Sequence, residues 1–121
     1  MFNTKTIYNI CFVLLGAVSV RGDIVDDGDC WVTPDIDGVV NIPDGTESIP
    51  DDAFEYCDAL KAVNIPASVQ NIGIFSFSYT HNLESVIFEE GSLLEVIGFA
   101  AFVGTDSLKN ISFPANLKAI G

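Results

Sequence analysis

A chain of 121 residues has room for one domain, and an apolar content of 49% is ample for a core. Seventeen acids against five Lys and Arg give a net charge of −12. That balance excludes nucleic acid as a partner, since phosphate binding needs clustered Lys and Arg.

The first 22 residues read as a cleaved signal peptide. Lys5 gives a weakly positive start, residues 7–20 form a largely apolar run broken by Asn9, and Ala17 and Ser19 are the small residues a cleavage site needs. Cleavage after Ser19 or after Gly22 fits. The run is shorter than the roughly 20 residues that span a bilayer; an uncleaved anchor is the rival reading. No second long apolar run follows, so no membrane insertion is expected after cleavage, and the mature chain is expected to be secreted or at the cell surface. Cys11 leaves with the leader. Cys30 and Cys57 remain, an even number in an oxidising compartment. A bridge between them would tie the segment before the repeats to the first repeat. Alternatively, Cys57 is a small buried residue in a column that continues with Thr80 and Thr105.

Residues 23–37 form an acidic segment around Cys30, Trp31 and Val32. They are expected to cap the open end of the first repeat, with Trp31 covering the core. The charge is uneven: residues 23–58 hold twelve acids and no Lys or Arg, whereas residues 59–121 hold five acids and three Lys. Asp23, Asp26, Asp27, Asp29, Asp35 and Asp37 are suitable calcium ligands. The alternating spacing and closing Glu of an EF-hand loop are missing, so a solvated cap is the preferred reading.

From residue 38 onward the chain repeats. Ile42, Ile65, Phe88 and Phe113 are spaced by 23, 23 and 25 residues. Ile49, Ile72, Ile97 and Ile120 keep the same register, as do Phe54, Phe77 and Phe102, and Leu60, Leu83 and Leu108. A period of this size predicts a solenoid, each unit covering the apolar face of the next. Within a unit, Leu60, Val63 and Ile65 give L-x-x-V-x-I, a strand with one buried face. Pro66 and Pro114 stop their strands. A second apolar step follows, Val69 with Ile72, and Gly73, Gly98 and Gly121 turn the chain. A short turn or helical twist is then expected to carry Phe54, Phe77 and Phe102 inward.

These residues resemble the BspA-type leucine-rich repeat family. The matching patterns are A-F-x-x-C-x-x-L at 53–60, I-P-x-S-V-x-x-I-G at 65–73 and F-E-E-G-S-x-L-x-x-I-G at 88–98. The resemblance covers residues 38–121. It implies a leucine-rich-repeat solenoid of short β-strands, turns and short helical twists. It also implies a secreted or surface microbial protein, in a family where some members act in adhesion and no catalytic motif is shared. Thr80 and Thr105 depart from the family's usual Cys.

Candidate chemistry is sparse. His81 is the one histidine and reads as a solvated loop residue. No metal-ligand spacing, phosphate loop or nucleophile motif is present, so no enzyme activity and no cofactor are expected. Asn110-Ile-Ser112 is an N-glycosylation acceptor. Two surfaces are candidates for binding an extracellular protein or glycan. One is the outward face of the main strands, with Asn64, Ser85 and Ile87. The other follows the glycine turn, where Ile74, Phe75, Tyr79 and Phe99 stand at positions expected to be polar. Packing of these four on one another is the competing reading. Because Ile120 and Gly121 repeat Ile97 and Gly98, the chain stops partway through a turn. That predicts a fragment of a longer array, or self-association through the open C-terminal end. The sequence therefore points to non-enzymatic recognition or adhesion, with a structural spacer and a calcium-dependent binder as alternatives.

Overall fold

The computed structural model describes residues 30–121. The leader and Asp23, Asp26, Asp27 and Asp29 lie outside them. Each repeat contributes two short strands: β1 (Val39–Asn41) and β2 (Ser48–Ile49), β3 (Ala62–Ile65) and β4 (Asn71–Ile72), β5 (Ser85–Phe88) and β6 (Val96–Ile97), β7 (Asn110–Ile111) and β8 (Ala119–Ile120). The odd strands form one four-stranded parallel sheet in the order β1-β3-β5-β7, and the even strands form a second in the order β2-β4-β6-β8. The register matches the sequence period. Val40 lies opposite Val63, Val63 opposite Val86, and Val86 opposite Ile111. Ile49, Ile72, Ile97 and Ile120 form the equivalent line in the second sheet. A column in sequence is therefore a stack in space.

The third side of each coil consists of consecutive turns at 51–56, 74–79 and 99–104. No helix occurs among the described residues, so turns stand where short helical twists were also expected. The hydrogen bonds give the reason. Alternate N–H groups close turns within the coil, from Ala53, Glu55 and Cys57 to the carbonyls of Pro50, Asp52 and Phe54. The others bond to the next coil: Asp52, Phe54 and Tyr56 donate to Ile74, Ser76 and Ser78, and Phe75, Phe77 and Tyr79 donate to Phe99, Ala101 and Val103. A helix would direct every one of these donors back along its own axis. The alternation places Asp52, Tyr56, Phe75, Tyr79 and Ala100 at φ between 53° and 61°, in the left-handed region. Such residues cost about 1–3 kcal/mol each, and at Asp52, Tyr56, Phe75 and Tyr79 the inter-coil bonds from their own N–H groups hold them there.

Between the three sides lies a core of stacked columns. Val40, Val63 and Val86, Ile49, Ile72 and Ile97, Val69 and Leu94, and Leu60 and Leu83 are all buried. Phe54, Phe77 and Phe102 stack nearly parallel at 5.1 and 5.2 Å, and Trp31 meets Phe54 edge-on at 6.1 Å. Trp31 thus extends the Phe column by one place, and its N–H bonds Ala53 O. In the neighbouring column, Thr80 and Thr105 donate their hydroxyls to the carbonyls of Phe77 and Phe102. Cys57 is instead joined to Cys30 by a disulfide. Gly73 and Gly98 are required by close approach, because a Cβ would lie 2.5 Å from Asp51 N and 2.6 Å from Ile74 N respectively.

Ser76 is an exception in this core. Its hydroxyl is fully buried and has no hydrogen-bond partner, and its column neighbours are Ala53 and Ala101. A buried hydroxyl without a partner opposes folding. Ser76→Ala is therefore expected to leave stability unchanged or raise it by about 1 kcal/mol in urea unfolding. A loss above about 1 kcal/mol would show that the hydroxyl is bonded.

Candidate functional site

The outward face of the main sheet carries Ala62, Asn64, Ser85, Ile87, Asn110 and Ser112. Asn64 Nδ2 donates to Asn41 Oδ1 at 2.6 Å, a short amide ladder along the strands. The ladder stops at the next coil, where Ile87 is 51% exposed. Asn41, Asn64, Ile87, Asp44 and Glu89 line an open groove there. Asn110 and Ser112, the two ends of the glycosylation acceptor, are both exposed.

The turn-built side is more apolar. Tyr56, Ile74, Tyr79, Phe99 and Val103 are five of the eleven large apolar residues that are exposed among the described residues, and all lie on this side. Ile74 and Phe99 occupy successive places in one column. Phe75 is half-buried and packs edge-on against Phe99, with centroids 5.8 Å apart. Phe75 therefore supports the surface, and Phe99, at 61% exposure, presents it. Tyr79 lies at the opposite end of the turn. It stacks on Tyr56 at 5.1 Å and 9°. Gly104 follows in that column, and a Cβ there would lie 2.5 Å from Tyr79 Cδ1, so the lower face of the ring rests on glycine backbone.

The structure thus brings Ile74, Phe75 and Phe99 into one corner. It places Tyr79 with Tyr56 and Val103 at another, and Asn64, Ser85 and Ile87 on a separate side. Tyr56 and Val103 were not among the expected surface residues. Their signal was present in the repeat alignment, since Tyr56 precedes Tyr79 by one coil and Val103 shares a column with Ser78 and Glu55.

Titratable chemistry is dispersed. His81 Nδ1 lies 3.6 Å from Asp58 Oδ1, with both side chains well exposed. The Asp35 carboxylate accepts the N–H groups of Asp37 and Val39, each at 2.9 Å, which binds it to its own loop. Among the described residues no group of three or more His, Cys, Asp and Glu is placed to hold a metal ion. No helix among them is long and apolar enough to cross a membrane.

Comparison with curated proteins and with solved structures returned no match. A family model of the BspA type leucine-rich repeat region, in six copies, matches residues 38–121. This span begins immediately before β1 and includes all eight strands. With the in-register parallel coils and the recurrent I-G close approach, it shows that the chain belongs to the BspA-type leucine-rich repeat family.

Proposed function

We propose that this chain is a secreted or cell-surface recognition module that binds an extracellular protein or glycan without catalysis. Family membership supports a surface or binding role in general. The observation that carries the finer reading is the set of exposed apolar side chains on the turn-built side. A side that only spaced other modules would gain nothing from Phe99 at 61% exposure beside Ile74 at 43%. Apolar residues clustered on an exposed face mark interaction sites, and aromatic residues at the centre of such faces carry much of the binding energy.

The test uses an Ile74→Ser/Phe99→Ser variant, which leaves half-buried Phe75 in place. Both forms are presented to arrays of extracellular proteins and glycans. Ligands captured by the parent are expected to bind the variant at least about tenfold more weakly, a loss of about 1.4 kcal/mol. Thermal unfolding should remain within a few degrees, because exposed substitutions change stability little. Unchanged capture by the variant would move the binding site to another face, and capture of no ligand by the parent would return the chain to a spacer role.

A further inference from the structure

Along the turn-built side, three columns change character in the same direction. Asp51 is followed by Ile74 and Phe99, Asp52 by Phe75 and Ala100, and Glu55 by Ser78 and Val103. Neighbouring coils stack about 4.8 Å apart. The surface therefore passes from carboxylate to apolar within about 10 Å. Among the described residues the three carboxylates meet no cation, the ion pairs being His81 with Asp58 and Lys118 with Glu95. Asp51 Oδ1 accepts the Ile74 N–H at 2.8 Å, and Glu55 Oε1 accepts the Ser78 hydroxyl at 2.9 Å. Both donors are neutral, so the negative charge at this end is left uncompensated.

We infer that the turn-built side docks a cationic amphipathic polypeptide segment, with Lys or Arg side chains over Asp51, Asp52 and Glu55 and apolar side chains over Ile74 and Phe99. This rests on the recognition reading above and narrows its partner. Uncompensated carboxylates attract a cationic segment, speed its encounter and orient it. Burial of apolar surface at the other end then slows its release. A second copy of this chain is a poor occupant of this side, since it has 17 acids against 5 Lys and Arg to set over the three carboxylates. An anionic glycan is repelled likewise, and a neutral glycan has no charge to set against the three carboxylates.

The experiment measures affinity of the full chain for three probes by fluorescence anisotropy. The first is a labelled twelve-residue peptide with a Lys/Arg block followed by a Leu/Phe block. The second has Glu in place of the cations, and the third is labelled maltoheptaose, a neutral glycan. Two triple variants carry equal charge changes. Asp51→Asn/Asp52→Asn/Glu55→Gln neutralises the turn side while keeping the oxygen acceptors, and Asn tolerates the left-handed conformation at position 52. Asp44→Asn/Glu47→Gln/Glu90→Gln neutralises the loops that join the two sheets. The cationic peptide is expected to bind about tenfold more weakly to the first variant and within about twofold of the parent to the second. It should also bind more weakly to Ile74→Ser/Phe99→Ser. Equal losses in both triple variants would overturn the inference, because attraction would then be non-specific. Failure to bind the cationic peptide would also overturn it. If the acidic peptide or maltoheptaose then bound in a manner dependent on Ile74 and Phe99, the recognition reading would survive and only the cationic partner would fall.

Discussion

Phe77→Ala is expected to lower stability by about 3–5 kcal/mol, through lost burial and the cavity left behind. Phe77 is fully buried, and its ring lies between Phe54 and Phe102 with interplanar angles of 9° and 0°. Its removal weakens the packing on both sides of the central coil at once. In a solenoid each unit touches only its neighbours, so two damaged interfaces have no distant contacts to compensate. Against a typical total of about 5–15 kcal/mol, the loss could unfold the chain at 37 °C. Phe77→Leu, which keeps much of the volume, gives a milder, measurable step in the same series. Asn64→Ala, on the outward face, removes one amide hydrogen bond and should cost at most about 1 kcal/mol. Urea midpoints measured side by side decide the matter. Equal shifts for Phe77→Ala and Asn64→Ala would contradict the inward and outward assignment.

Loss of the Cys30–Cys57 disulfide is expected to cost about 3–4 kcal/mol, the chain-entropy value for a loop of this length. The bridged residues are 27 apart, and the bond pins the segment carrying Trp31 onto the first coil. A Cys30→Ser/Cys57→Thr variant isolates the cross-link. Threonine is what the column uses elsewhere, where its hydroxyl bonds the carbonyl three residues earlier. At position 57 the equivalent acceptor is Phe54 O. The parent treated with reductant and the variant without it should melt at similar temperatures, both below the oxidised parent. A variant that melts with the oxidised parent would mean that Trp31 and its backbone bond to Ala53 hold the cap without a cross-link.

Much of the architecture was legible in the sequence because parallel in-register stacking makes equivalent residues neighbours. Ile49, Ile72 and Ile97 recur at the period because each one packs on the one before it. Similar environments call for similar side chains, so the stacking period is written in the composition of every inward column. The glycines at 73 and 98 belong to the same logic, since each coil closes against backbone of the coil beneath.

The turn-built side was not legible in this way. Its conformation depends on sending alternate N–H groups to the next coil, which puts Phe75 and Tyr79 at positive φ against their own preference. Local propensity contains no record of a hydrogen bond whose acceptor is 22 to 24 residues away. The division of labour between Phe75 and Phe99 has the same origin. Both stand at the turn as unexpected aromatic residues, yet neighbouring columns rotate one ring beneath the other. The sequence by itself determined the repeat period, the two strand sets and the inward columns, because those follow from stacking alike residues. Only the tertiary structure decided the turn conformation, the stacked Tyr56–Tyr79 pair, the burial of Phe75 and the Cys30–Cys57 bond, because each depends on how one coil or its cap meets the next in space.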